Sequence, residues 1–269
     1  MIPRAPQELA SGKLLLDEPA DHVARLRIWN PEKRGALDHE LLDALAATVR
    51  SLDARCLLLT GEGKMFSAGY DIGTFDDAEF EREASQLVAH PFHAAIEALE
   101  AFEYPSVAAL NGHAIGGGLE VALSCDIRIA ARGVKLGMPP AKLGLIYSHT
   151  GLRKFIEVCG VANTNELFYV GSNVDADRGY EMGLVNRVVE PDELEDAGLA
   201  IAAEIAANAP LSLAGNKRII RELRTHPGTL PPDLEGDLIE LRESCFRSED
   251  FREGVQAFGE KRKPDWKAR

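Results

Sequence analysis

Val107-Ala108-Ala109-Leu110-Asn111-Gly112-His113-Ala114-Ile115-Gly116-Gly117-Gly118-Leu119-Glu120 decides the architecture of this 269-residue chain. Val107–Leu110 is a short apolar run stopped by Asn-Gly, the pattern of a strand buried on both faces. Past the glycines a short helix is predicted from about Gly118 to Cys125, and then a strand over Ile127–Ala131. The same order stands upstream. Cys56-Leu57-Leu58-Leu59 is halted by Thr60-Gly61, and a helical stretch follows over Ala94–Ala101. Earlier still, Lys13–Asp17 and Val23–Trp29 read as strands around a Glu-Pro-Ala-Asp turn. Asp38 then caps a helix whose apolar stripe is Leu41, Leu42, Leu45, Val49 and Leu52. Strands alternating with helices imply an α/β fold built from strand–helix crossovers. After Leu184–Val189 only helical patterns remain: Ala197–Ala207, Leu211–Leu223, Leu234–Phe246 and Phe251–Glu260. The expected organisation is therefore an α/β core over residues 1–195 and a helical C-terminal region over 196–269.

Composition narrows the function. Apolar residues make up 45% of the chain and charged residues 27%, proportions of a globular protein. Forty-three acidic side chains against 30 basic ones give a formal charge of −13, a field that repels nucleic acid and anionic membrane. The longest run free of formal charge, Tyr104 to Leu119, is too short and too rich in Gly, Asn and His to span a bilayer. The start, Met1-Ile2-Pro3-Arg4-Ala5-Pro6, carries no apolar signal core. Cys56, Cys125, Cys159 and Cys245 form no Cys-x-x-Cys pair, so free thiols in a reducing cytoplasm are expected. No metal site is expected either, since no carboxylate or Cys completes a ligand spacing with His90, His93 or His149.

Two glycine-containing stops, each after a buried strand, are the places where ligands bind in α/β structures. They are Met65-Phe66-Ser67-Ala68-Gly69-Tyr70-Asp71-Ile72 and Gly112–Glu120. Glycines bring backbone N–H groups close to a ligand, and a helix beginning at Gly118 would favour negative charge. A tight strand-to-helix turn that needs glycine only for packing fits the run equally well. Neither a dinucleotide fingerprint nor a P-loop is present, since Gly61-Glu62-Gly63-Lys64 has the wrong spacing for the latter. Ser67 is not a nucleophile elbow.

Taken together, the two segments resemble the paired signatures of the crotonase (enoyl-CoA hydratase/isomerase) superfamily. Further matches are Lys33-Arg34-Gly35-Ala36-Leu37, Cys125-Asp126-Ile127-Arg128-Ile129-Ala130, Met182–Val189 and Ala257–Pro264. The resemblance implies a spiral of β-β-α units with a helical C-terminal region that builds homotrimers, often paired into hexamers. It implies an acyl-CoA substrate, with coenzyme A part of the substrate and no separate cofactor. Its thioester oxygen would sit in an oxyanion hole made by the backbone N–H groups of Ala68 and Gly117, stabilising an enolate where its charge develops. Coenzyme A would lie near Arg34, Gly35, Ala36 and the loop of Gly69, Tyr70, Asp71 and Ile72. Phe258 and Lys261 match tail residues that reach the coenzyme of a neighbouring subunit. Lys33 and Arg34 also read as solvated turn residues.

Family hydratases use two glutamates. Glu120 matches the first, although it also reads as a first-turn helix residue stabilised by the dipole. Pro140 stands at the second and carries no proton. Leu143-Gly144-Leu145-Ile146-Tyr147 is similar to the methylmalonyl-CoA decarboxylase branch, where a tyrosine faces the acyl group; Tyr147 also reads as an amphipathic core residue. Tyr70 departs from that branch, which carries histidine there. Gly116 and Pro140 are further candidates for contacting the acyl-CoA, and His149 is a candidate for lining the acyl pocket. Decarboxylation of a methylmalonyl-CoA-like substrate is the expected reaction, because loss of CO2 yields the enolate without a base. An ionised Glu120 facing the substrate carboxylate would oppose it. Enoyl-CoA hydration or isomerisation by Glu120 alone is the alternative, and a non-enzymatic coenzyme A-binding scaffold is a third.

Overall fold

The computed structural model describes residues 5–71 and 91–269. Strands β1 (Gln7–Leu9), β2 (Leu14–Ala20) and β3 (Val23–Ile28) form an antiparallel meander. Helix α1 (His39–Ser51) follows, with the Asp38 side chain accepting from Leu41 N at 2.9 Å as the cap. It buries Leu41, Leu42, Leu45, Ala46 and Val49, one stripe at helical spacing.

A repeating unit then begins. Strand β4 (Cys56–Gly61) leads into β5 (Met65–Ser67) and, later, α2 (His93–Ala101). Strand β6 (Ser106–Leu110) leads into β7 (His113–Ile115) and α3 (Gly117–Leu123), and β8 (Ile127–Ala131) into β9 (Lys135–Gly137) and α4 (His149–Asn165). In each unit the longer strand enters one sheet and the short strand enters another. The first sheet has the order β1-β2-β3-β4-β6-β8-β11, parallel from β3 onward. The second has the order β10-β9-β7-β5, with β5, β7 and β9 parallel. Strand β10 (Val174–Asp175), helix α5 (Ala176–Glu181) and strand β11 (Arg187–Val189) close the spiral. This is the expected α/β spiral of β-β-α units.

The core lies between the sheets and their helices. Strands β4 and β6 are buried on both faces because α6 (Leu194–Ala206) covers the first sheet. Gly198 of α6 sits over Ala109, Ile129 and Leu58. Core packing therefore continues past residue 195 to the end of α6, because the last strands need that helix as a lid. Helices α7 (Pro210–Thr225), α8 (Pro232–Arg247) and α9 (Glu249–Glu260) follow, each burying at most two residues within its own chain. All four cysteines are free thiols. Among the described residues, no single helix is long and apolar enough to cross a membrane and no metal-binding cluster is found.

Candidate active site

The two glycine-containing segments pack directly on each other, and local chemistry explains how. Asn111, which ends β6, accepts from Gly61 N at 2.8 Å and donates to Gly63 O at 3.0 Å, joining the turn after β4 to the turn after β6. Ser67 donates to Gly35 O at 2.7 Å and accepts from Gly69 N at 3.1 Å, seating the second segment on residues 34–37. Gly69 has φ +90°, and a Cβ there would lie 2.7 Å from Ile115 O and 3.1 Å from Gly117 N. At Gly118 a Cβ would fall 2.5 Å from Ser67 O and 2.7 Å from Ser67 Cβ. The contacts of 2.5–2.7 Å are shorter than real Cβ separations, and Gly69 also needs its positive φ, so both glycines are steric requirements. The packing reading of the run and the site reading are thus both satisfied.

Which amides remain open corrects one expectation. Ala68 N donates to Arg34 O at 3.1 Å, so its hydrogen is spent inside the protein. Leu37 and Tyr70 form a parallel bridge that uses Leu37 N to Gly69 O at 2.8 Å and Asp71 N to Leu37 O at 3.1 Å. In such a bridge the paired residue's own N–H faces away from its neighbour. Tyr70 N accordingly has no acceptor among the described residues, and neither does Gly117 N at the start of α3. The open pair is Tyr70 with Gly117, and the Ala68 amide is not part of it. Gly116 N is spent as well, on Gly137 O at 2.9 Å.

Beside these amides stands a buried polar cluster. Glu120, in the first turn of α3, is 4% exposed. The Tyr147 hydroxyl donates to Glu120 Oε2 in a very short hydrogen bond. Tyr147 is itself buried, edge-on to Phe168, and its ring and Glu120 Oε1 both press on Gly151 of α4. Tyr70 packs its ring against the Cα of Gly117 and edge-on to Phe92 at 4.8 Å. Burial, then the charge of Glu120, pushes its phenol up. Desolvation raises the Glu120 carboxyl above the usual range, and hydrogen bonding from Tyr147 and the charge of Lys154 only partly offset it. Burial, the charge of Glu120 and the neighbouring Tyr70 together push the Tyr147 phenol well up, so it stays protonated.

The remaining candidates divide. Gly35 and Ala36 are buried under the Ser67 loop. Arg34 is exposed, with φ 56°, at the mouth of the same loop, and Lys33 pairs with Asp71 at 2.5 Å. Pro140 is buried at the start of a 3-10 turn, Pro140–Leu143. His149 is exposed at the first position of α4 and joins no hydrogen bond to the cluster among the described residues. Phe258, 87% exposed, and Lys261 lie at the end of α9 and do not reach the cluster within one chain. Ile72 lies outside the described residues, as does His90. Sequence reading missed Lys154, Ser124 and Gly151, which frame Glu120. Helix α4 carries two of them, and its cap, Ser148 accepting from Gly151 N at 3.1 Å, was the available signal.

The fold is an α/β spiral of β-β-α units, and its site sets two open amides beside a buried carboxyl–phenol pair. Residues 18–269 match the model of the family described as enoyl-CoA hydratase/isomerase. A probable enoyl-CoA hydratase from Bacillus subtilis is 35% identical over 91% of this chain and 95% of its own length. A crotonyl-CoA hydratase from Syntrophomonas wolfei is 33% identical over 93% and 96%. The crystal structure of an enoyl-CoA hydratase/carnithine racemase from Magnetospirillum magneticum superposes with a TM-score of 0.86 at 30% identity, covering 96% of both chains. The chain belongs to the enoyl-CoA hydratase/isomerase family.

Proposed function

We propose that this protein is an enzyme that adds water to, or shifts the double bond of, an enoyl-CoA through a thioester enolate. In this reading the amides of Tyr70 and Gly117 hold the thioester oxygen, and Glu120 with Tyr147 moves the proton. The observation that carries it is the Tyr147–Glu120 hydrogen bond, buried beside the open Gly117 amide.

The chemistry follows from these groups. In hydration, water attacks Cβ and gives its proton to the Glu120 carboxylate while the π electrons move onto the thioester oxygen. Two preset amides stabilise that oxyanion by about 3 kcal/mol each. The proton then passes from Glu120 through the Tyr147 hydroxyl to Cα, restoring the thioester and both side chains. One hydrogen-bonded pair thereby does the work of two carboxylates, which is why Pro140 is tolerated where a second acid would stand. Isomerisation uses the same pair to take a proton from one carbon and return it to another.

Decarboxylation of a methylmalonyl-CoA-like substrate ranks second. Holding a departing carboxylate would require the Tyr147 hydroxyl to leave Glu120 Oε2 while Glu120 is ionised, whereas in hydration it turns to Cα only after Glu120 has taken the proton from water. An ionised Glu120 would also oppose that carboxylate by roughly 4 kcal/mol at about 4 Å and an effective dielectric of about 20. What favours the reading is the raised Glu120 carboxyl, since a neutral acid admits a second one. We further read the exposed Ile220, Leu223, Ile239, Phe246, Phe251 and Val255 of α7–α9 as a subunit-contact face, in keeping with a trimer.

Turnover decides between the two reactions. Crotonyl-CoA and methylmalonyl-CoA are supplied separately, following enoyl absorbance and CO2 release. The expected result is loss or gain of the enoyl chromophore without CO2. Tyr147→Phe is expected to lower kcat about a hundredfold with KM little changed. Removing the phenol also removes a group that lowers the Glu120 carboxyl, so the acidic limb of the pH–rate profile moves to higher pH. CO2 release with no enoyl turnover would replace this reading with decarboxylation, and no turnover of any thioester would leave the scaffold.

A further inference from the structure

Lys154 is a buried charged residue beside the site that the proton-transfer scheme does not use. It lies on α4, one turn after Gly151, and is 5% exposed. Its ammonium donates to Ser124 Oγ at 2.5 Å and pairs with Glu100 Oε1 of α2 at 2.9 Å. Ser124 in turn donates its hydroxyl to Glu120 O at 2.8 Å and its amide to the same oxygen at 3.0 Å. The ammonium is thus bonded to a residue one helical turn past the buried carboxylate and locked to the backbone of Glu120 itself. A buried cation is costly to desolvate, and apolar residues would join α2, α3 and α4 more cheaply.

We propose that Lys154 is a positioning residue for the Glu120–Tyr147 pair. Through Ser124 it fixes the turn that carries Glu120, its positive field keeps that carboxyl able to ionise inside an apolar wall, and Glu100 sets the strength of the field. The proposal rests on Glu120 being the proton-transfer group. Among the described residues, the charged and titratable groups that act on Glu120 come from four places. Tyr147 precedes α4, Lys154 lies on α4, and Tyr70 follows β5. Glu100 and His93 lie on α2, where His93 is 3.0 Å from Glu97. Lys154 and His93 act to lower the carboxyl, whereas Glu100 acts to raise it.

Opposite signs make the test. The full-length protein is labelled with 13C at the glutamate carboxyls, and the Glu120 resonance, identified by its loss in Glu120→Gln, is titrated by NMR without substrate. Lys154→Met is expected to move its midpoint up by about one pH unit, a tenfold change in the ionised fraction. Lys154→Arg is expected to leave it nearly in place. Glu100→Gln, at a carboxylate already one-third exposed, is expected to move it down. The acidic limb of the pH–rate profile follows in the same directions. If the midpoint stays put in Lys154→Met and Glu100→Gln while thermal stability falls, the pair is only a structural bridge and the proposal is overturned. Shifts of the same sign overturn it too. Should Lys154→Met fail to fold, Glu100→Gln decides alone, and an unmoved or raised midpoint is the contrary result. The titration needs no substrate, so a wrong reaction assignment would show in turnover and leave this result standing.

Discussion

Glu120→Gln is expected to lower kcat by about 10³–10⁴, the upper part of the range for losing a general acid–base group. The size of the effect follows from Pro140. With proline where a second acid would stand, nothing in the described site replaces the lost carboxylate. The amide oxygen of glutamine still accepts from Tyr147, so the buried pocket keeps its hydrogen bond and the fold its melting temperature. Coenzyme A affinity, which the proposed site assigns to segments away from α3, is expected to stay within a few-fold. Steady-state kinetics beside calorimetric titration with coenzyme A would check both halves. A Glu120→Gln protein retaining a tenth of its activity would remove Glu120 from the chemistry and return it to the role of a first-turn helix residue.

The second large effect concerns geometry. Gly118→Ala places a methyl 2.5 Å from Ser67 O and 2.7 Å from Ser67 Cβ, and Ser67 is held by Gly35 O and Gly69 N and cannot yield. The first turn of α3 must retreat from β5, carrying the Gly117 amide and Glu120 with it. A displacement of about 1 Å at reacting groups costs about a hundredfold in rate, and overpacking of this kind costs about 1–3 kcal/mol in stability. Gly63→Ala is the matched control. Gly63 has φ +68° but nothing within 4 Å of its Cβ, so the substitution costs backbone strain of about 1–2 kcal/mol without a steric clash at the site. Denaturant unfolding and kcat measured on both variants separate strain from displacement. Equal kcat losses in the two would show that the tight contact at Gly118 does not hold the amides in place.

The sequence disclosed the parts of this protein whose signals are local. The Asp38 cap, the α1 stripe and the buried strands β4, β6 and β8 stand within a residue or two of where their patterns put them. Strands β5, β7 and β9 have three residues each, too few for a period-two pattern, and they exist because the second sheet collects them from distant segments. The site divides in the same way. Gly117, Glu120 and Tyr147 were legible because glycine runs, helix starts and a phenol in an apolar stretch are visible in one dimension. That Ala68 spends its amide on Arg34 and Tyr70 does not depends on a bridge across more than thirty residues, from Leu37 to Tyr70. Motif matching locates the loop but not the parity of its amides. Lys154 was hidden for a related reason, since a lysine in an amphipathic helix reads as solvent-facing until α2 and α3 close over it.

The most direct measurement is a crystal structure with a non-turnover acyl-CoA bound. The thioester oxygen is predicted about 3 Å from both Tyr70 N and Gly117 N, with Cα facing the Glu120–Tyr147 pair. An oxygen bonded to Ala68 N, or one out of reach of Gly117 N, would contradict the account.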